Sequence, residues 1–580
     1  MPLTNRIHLK NLRGDIFGGL TAAVIALPMA LAFGVASGAG PQAGLYGAVL
    51  VGFFAALFGG TPTLISEPTG PMTVVLTAVI AKLIAADPEN GMAMAFTVVM
   101  MAGIFQIIFG LLKLGRYVTL MPYTVISGFM SGIGVILIIL QLGPFLGQVA
   151  PSGGVIGVIT HLPELLQNAV IPEVILSVLT LAVLFFMPKS LKRFLPPQLL
   201  VLIAGTVLSI VAFGDIDIRR IGAIPAGLPA IQLPTFTPDQ LQLMIINALV
   251  LGALGCIDAL LTSMVADSLT RTQHDSNKEL IGQGIGNLVS GLFGGLAGAG
   301  ATMGTVVNIQ TGGRTALSGL FRAVLLMVVV LGASRLIAPI PLAVLAAIAI
   351  KVGIDILDWS FLKRAHSVSL KGTLIMYGVL LLTVFVDLIV AVGVGMFVAN
   401  ILTIDRLTKL QVDNVKTITD ADEDEDLKMT DEERSLLDQA NGRILLFHLS
   451  GPMIFGVAKA IAREHNAMVD HDVLVLDLQD VPILGVTASL ALENAIQEAH
   501  EQGRPVFVVG ATAQVIGRLE KLGVRRFIPV EQMVETRTEA LMRALELLEI
   551  PVVTDTVPAA VVPESNVQES NVPESNIALR

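Results

Sequence analysis

The chain has 580 residues, 54% of them hydrophobic and 14% charged, at a mean hydropathy of +0.78, which excludes a single soluble domain and leaves a polytopic membrane protein with room for a second domain. The net charge of −10 is divided unevenly: residues 1–405 carry 20 Lys and Arg against 17 Asp and Glu, whereas residues 406–580 carry 16 against 29, so the acidity belongs to the C-terminal part. The one cysteine, Cys256, sits in an apolar run, which excludes a disulfide framework and a Cys-based metal site.

The opening MPLTNRIHLKNLRGD is polar and basic and leads into an apolar segment without a small-residue cleavage site, so no cleaved signal peptide is expected. Arg6, Lys10 and Arg13 predict that this end is cytoplasmic. Apolar segments follow at 16–35, 43–59, 70–86, 91–112, 123–146, 171–187, 197–213, 239–267, 280–296, 302–310, 318–333, 336–353, 372–386 and 388–404. The third and the tenth each follow an interruption, after which helix can run only from Gly70 to about Ile84 and from Thr302 to about Gln310, short for a span of roughly 20 residues. ISEPTGP (65–71) carries Pro68 and Pro71, and GAGATMG (298–304) repeats glycine at 298, 300 and 304, so neither suits a helix interior. Non-helical backbone at membrane depth survives only where protein or a water-filled cavity satisfies its polar groups. The two breaks therefore predict half-helices whose N-termini, with free N–H groups and the positive dipole end, face a site that favours an anion.

Loops after even-numbered segments hold Lys113 and Arg116; Lys189, Lys192 and Arg193; Arg271 and Lys278; Arg314; and Lys363, Arg364 and Lys371. Odd-numbered loops hold little beyond Arg219 and Arg220 beside Asp215 and Asp217, with Arg335 and Lys82 nearer helix ends. Omitting either short segment would put this alternation out of phase, so both count as segments. Fourteen segments divide into seven and seven, and an odd number per repeat inverts the halves, bringing the third and tenth to corresponding positions from opposite sides.

Past residue 405 the hydropathy falls, and the acidic run at 420–426 reads as a solvated connection. The expected organisation is a transport domain over 1–405, an acidic linker over 406–440, a small domain over 441–550 and a polar tail over 551–580. Strand-like ILLFHL (444–449), VLVLDL (473–478) and PVFVV (505–509) alternate with helix-like stretches near 456–465, 486–501 and 513–522, which indicates an α/β domain. The tail repeats Pro/Gln-Glu-Ser-Asn and is expected to be disordered.

Asp258 lies inside the segment 239–267, where an ionised carboxylate is costly unless partnered. Thr262, at i+4, shares its helix face. With carbonyls freed by the break at Gly300 they offer hard oxygen ligands suited to an alkali cation such as Na⁺. Thr69 and Thr302 open the two half-helices, where a hydroxyl can cap backbone or bind substrate. Glu67 stands near a helix start and is a weaker candidate. Asp267 reads as an interfacial or structural acid, Asp387 as part of a helix-helix turn, and Gln106, Gln141 and Asn308 as inter-helix hydrogen bonders. The eight histidines form no metal-spaced cluster, no P-loop, nucleophile elbow or dinucleotide fingerprint stands in a convincing context, and no basic stripe suits nucleic acid. An enzyme is not expected.

PQAGLYGA (41–48) and GTPTLISEPTGP (60–71) resemble the second and third segments of the SulP anion transporters, and ILLFHLSGPMIFGVAK (444–459) with VLVLDLQDVPILGVT (473–487) resembles a STAS domain. Within that family the resemblance is greatest to the cyanobacterial BicA-type, Na⁺-dependent bicarbonate transporters. The resemblance implies inverted repeats of seven with core and gate domains, an elevator-like movement and dimerisation through the STAS domain. Many relatives carry Ser-Arg at the start of the tenth segment, where this chain has Met303 and Gly304. Without that fixed positive charge, a bound Na⁺ would offset both Asp258 and the anion. Met29 stands where relatives often place a polar residue, which disfavours proton coupling, and Gly485 stands where several place an acid, which disfavours phosphorylation at Thr487.

The expected protein is thus a polytopic α-helical secondary transporter with a cytoplasmic STAS domain. It would carry bicarbonate into the cell with Na⁺ across a bacterial plasma membrane, with both termini cytoplasmic, as a homodimer and with no organic cofactor. Asp258, Thr262, Gly300 and Thr302 are assigned to Na⁺; Thr69, Gly70, Ala301 and Thr302 are assigned to bicarbonate. The alternatives are a proton-coupled sulfate or dicarboxylate transporter of the same family, and a membrane-anchored STAS sensor or scaffold without transport.

Overall fold

The computed structural model describes residues 4–5, 9–120, 122–151, 153–188, 196–213, 216–222, 230–332, 337–386, 388–412, 414–419, 427, 429–454, 457–466 and 471–552. Arg6, the basic loop of Lys189, Lys192 and Arg193, Asp215, Arg335, Asp387, the acidic run at 420–426 and the repeats of the tail lie outside them. The chain divides into two compact units, Met1–Asn400 and Ile401–Arg580.

The first unit is helical. Its main helices are α1 Leu12–Ser37, α2 Pro41–Phe58, α3 Gly70–Ala86, α4 Gly91–Leu111, α5 Tyr123–Leu140, α6 Ile171–Phe186, α7 Pro197–Val211, α8 Pro238–Thr270, α9 Ser276–Leu292, α10 Thr302–Gln310, α11 Ala316–Gly332, α12 Leu342–Ile356, α13 Leu370–Phe385 and α14 Leu388–Val412, the last running on past Asn400. Each corresponds to one apolar segment of the sequence. Among the described residues, six helices are long and apolar enough to cross a membrane, and five apolar ones are shorter. The differences in bounds have local causes. Pro339 and Pro341 delay α12 to Leu342, the Asp275 carboxylate accepts from the N–H groups of Asn277 and Lys278 and starts α9 early, and α14 continues as the polar stretch DRLTKLQV, which hydropathy does not register.

Small residues let helices meet backbone to backbone. A Cβ on Gly103 of α4 would stand 2.5 Å from the Gly284 carbonyl oxygen of α9, and one on Gly284 would stand 2.6 Å from that of Gly103. Only glycine at both positions permits this crossing.

The second unit is a five-stranded sheet with helices on both faces. The strands are β3 Val415–Ile418, β4 Ile444–Ser450, β5 Val473–Asp480, β6 Val506–Val509 and β7 Met533–Val534, in the order β3-β4-β5-β6-β7. β3 is antiparallel to β4 and the other pairings are parallel. Side chains alternate across the sheet. Leu445, Phe447, Leu474 and Leu476 pack with residues of α16 Val457–Asn466, α17 Val486–Glu501 and α18 Ala513–Lys521, while Ile444, Leu446, Val473 and Val475 pack with α15 Asp431–Gln439 and α19 Arg537–Leu547. The stretch 406–440, expected as an acidic linker, carries the end of α14, β3 and α15. Its helix is fixed by a capping box in which the Thr430 hydroxyl accepts from Glu433 N–H and the Glu433 carboxylate accepts from Thr430 N–H.

Candidate functional site

The two interruptions meet. Ser66–Glu67 forms a short strand, β1, antiparallel to a second, β2, at Ala299–Gly300, with Ser66 opposite Gly300 and Glu67 opposite Ala299. Ala301 N–H donates to the Ile65 carbonyl at 2.8 Å. Side chains satisfy further backbone groups around the breaks: Asn287 donates to Gly298 O at 2.9 Å and accepts from Gly298 N–H at 2.8 Å, while the Thr305 hydroxyl accepts from Ile65 N–H at 3.0 Å. Asn308 Nδ2 donates to Thr63 O and to Ser318 Oγ, both at 2.9 Å. Irregular backbone in an apolar surrounding needs this kind of internal pairing.

From this two-stranded link the chain turns at once into α3 at Gly70 and into α10 at Thr302. Thr69 occupies the N-cap position of α3 in an extended conformation, yet its hydroxyl makes no cap. It donates instead to Asp258 Oδ2 at 2.7 Å. On the same face of α8, the Thr262 hydroxyl lies 2.9 Å from Gly300 O and 3.0 Å from the Thr302 hydroxyl. Asp258, Thr69, Gly70, Gly300, Ala301 and Thr302 all line one cavity of about 530 Å³, whose apolar lining includes Phe33, Met130 and Ile356. Thr262, 1% exposed, is outside that lining and touches it through Gly300 and Thr302. The residues assigned from sequence to a cation and to an anion are therefore brought together, and Thr69 joins the two sets because its hydroxyl holds the carboxylate. Carboxylate, hydroxyl and carbonyl oxygens form a hard donor set of the type that holds an alkali or alkaline-earth cation. Among the described residues no group of three His, Cys, Asp or Glu could hold a metal ion.

Sequence reasoning passed over Arg322. It lies within α11, is fully buried, and donates from Nη2 to Glu67 Oε2 and from Nη1 to Ser66 O at 3.0 Å and Ala48 O at 3.3 Å. The signal was present as a charge inside the apolar run LFRAVLL, the same signal that picked out Asp258. Arg322 thus neutralises Glu67, which lines the cavity. Gly304 does not face the Asp258 side of the site: a Cβ there would approach Ile65 Cγ2 at 3.0 Å and Glu67 Oε1 at 3.6 Å. Asp267 is remote from these contacts and accepts from His274 N–H at 3.0 Å, with His274 Nδ1 at 2.6 Å. Gln106 links α4 to α8 and α9 through Gly252 O and Asn287.

Residues 12–379 match the sulfate permease family and residues 436–539 match the STAS domain. The chain is 70% identical to the bicarbonate transporter BicA of Synechocystis over 94% of its length and 96% of that protein's. It is 29% identical to a putative sulfate transporter of Bacillus subtilis over 89% of its length and 95% of the other's. Among solved structures, the transmembrane domain of a cyanobacterium bicarbonate transporter BicA is similar with a TM-score of 0.64 at 73% identity, covering 67% of this chain and all of that one. The overall structure of SLC26A9 is similar in fold, with a TM-score of 0.79 at 19% identity over 94% of this chain and 92% of the other. A polytopic helical membrane unit with a C-terminal α/β STAS domain, the chain belongs to the sulfate permease family.

Proposed function

We propose that this chain transports bicarbonate into the cell together with Na⁺, binding both in the cavity between α3, α8 and α10. The observation that carries the reading is the charge balance of that cavity. Glu67 is cancelled by Arg322 and Asp355 by Lys351, whereas Asp258 has the Thr69 hydroxyl as its partner and no Lys, Arg or His among the described residues. Two half-helix N-termini each present about +0.5 of a charge. Together they offset one negative charge, and Asp258 with a bicarbonate ion presents two. A Na⁺ ion held by Asp258, Thr262, Gly300 O and Thr302 supplies the difference. Bicarbonate is then framed by Thr69, Gly70, Ala301 and Thr302. Binding of each ion favours the other by linkage.

The relatives named bicarbonate transporters support the substrate. The inverted arrangement of α1–α7 and α8–α14, an elevator-like movement of the site, cytoplasmic termini in a bacterial plasma membrane and a homodimer formed through the STAS domain belong to the same reading. Alternating basic loops and the pairing of two half-helices from opposite halves support it.

Labelled bicarbonate uptake into proteoliposomes, with and without an inward Na⁺ gradient and with sulfate as competitor, tests it. Uptake is expected to need the gradient and to resist sulfate. Asp258→Asn is expected to abolish Na⁺ dependence or transport altogether, and a wild-type Na⁺ response in that variant removes Asp258 from the cation site. Sulfate uptake driven by a pH gradient without Na⁺ would replace this reading with the proton-coupled one.

A further inference from the structure

A second cavity, of about 740 Å³, adjoins the first. The two share Met303, Val307 and Asp355 in their walls, so α10 and α12 border both. Among the described residues lining them the carboxylates are Glu67, Asp258 and Asp355, and Lys351 is the one cation. Lys351 and Asp355 stand four residues apart on α12, with Nζ 2.5 Å from each carboxylate oxygen, and Nζ lies 5.1 Å from the centre of the Phe185 ring. A partly exposed ion pair of this spacing contributes little to helix stability. Stability therefore gives no reason for two opposite charges at the join of two cavities.

We propose that Lys351 binds the permeating anion in the second cavity, with Asp355 as its positioning residue, which occupies the ammonium group whenever no anion does. The proposal rests on the bicarbonate reading above. Bicarbonate presents oxygens that share one negative charge, much as a side-chain carboxylate does. Passing through, it takes the place of Asp355 on Nζ, and one charge-assisted contact is exchanged for another of the same kind. Without Asp355 the ammonium would retain the anion. Without Lys351 the wall would present a bare carboxylate that repels it. A doubly charged sulfate would be held more tightly than bicarbonate, so the pair also bears on which anion is released.

The test uses purified full-length protein and the variants Lys351→Gln, Lys351→Arg, Asp355→Asn and the double variant Lys351→Gln/Asp355→Asn. Labelled bicarbonate binding at saturating Na⁺ is measured by scintillation proximity, and initial uptake is measured in proteoliposomes. Lys351→Gln is expected to raise the bicarbonate Kd and KM about five- to tenfold and, at saturating bicarbonate, to leave the KM for Na⁺ unchanged, and Lys351→Arg is expected to restore binding. Asp355→Asn is expected to tighten bicarbonate binding, lower kcat and make sulfate a stronger inhibitor. The double variant, with a neutral wall, is expected to return the bicarbonate Kd to within roughly twofold of wild type. An unchanged Kd in Lys351→Gln, or a double variant no better than that single one, overturns the proposal. Wild-type protein that binds bicarbonate but does not accumulate it with Na⁺ fails the coupling reading alone, since the binding comparison still decides the role of Lys351. Absence of bicarbonate binding by the wild type overturns both.

Discussion

Asp258 and Glu67 line one cavity with opposite surroundings. Glu67 meets the buried guanidinium of Arg322, and Asp258 meets a hydroxyl. Each charge was visible in the sequence, because a Lys, Arg, Asp or Glu inside an apolar run stands out. Their partners were not, since Arg322 and Glu67 are 255 positions apart and Thr69 and Asp258 are 189 apart, and no local period links such positions. The pair makes a prediction that separates charge balance from packing. Arg322→Met leaves a buried carboxylate unpaired and is expected to destabilise the protein by about 3–5 kcal/mol. Adding Glu67→Gln removes the orphaned charge and is expected to recover most of that loss, read as the melting temperature of detergent-solubilised protein. A double variant no more stable than Arg322→Met would show that Arg322 acts through its volume instead.

At the level of elements, α3 and α10 begin where proline and glycine make a helix untenable upstream, and their bounds were legible for that reason. The pairing of the breaks as β1 and β2 was not legible: two-residue strands carry no alternation to read. The same limit hid β7, and β3, four residues reading VKTI, has Lys and Thr at its centre in place of an apolar run, whereas the interior strands of that sheet announce themselves by such runs. Helix contacts follow glycine spacing that only the folded pair reveals. Gly284→Val would drive a side chain into the backbone of α4, where a Cβ already stands 2.6 Å from Gly103 O. It is expected to lower stability by at least about 1–3 kcal/mol and to reduce uptake with it. Gly378→Ala in α13 is the control: a Cβ there meets nothing within 4 Å, and relief of glycine's entropy is expected to leave stability unchanged or raise it by about 0.5–1 kcal/mol. Equal melting temperatures for the two variants would refute the close crossing of α4 and α9.

At the level of the whole molecule, the two units rest on different physics. The first holds its buried carboxylates singly, by an arginine as at Glu67 and Glu173, by backbone N–H groups as at Asp15 and Glu279, or at the site as at Asp258, whereas the second joins several charges in one polar network inside an α/β core. Asp477 on β5 sits fully buried with His448 Nδ1 at 2.7 Å, and Arg537 Nε donates to it at 3.0 Å while Arg537 Nη1 reaches Glu433 at 3.1 Å. Burial opposes ionisation of Asp477, but the hydrogen bond from His448 and the charge of Arg537 outweigh it and hold the carboxyl below the usual range. An acid whose folded value lies below its unfolded one, about 3.9, stabilises the fold above that pH and loses the contribution as pH falls through the folded value. Full-length protein equilibrated at about pH 6, 4.5 and 3 and then given a hydrogen-exchange pulse at one fixed pH should keep its β5 amides protected at the two higher values and lose protection at the lowest. Asp477→Asn should be less protected at pH 6, because Arg537 loses a charged partner, and should show no further loss assigned to this group on acidification. If wild type and variant lost protection in parallel between pH 4.5 and 3, the acid lability of the second unit would lie with other carboxylates, and Asp477 would be a packing residue whose charge the fold does not need.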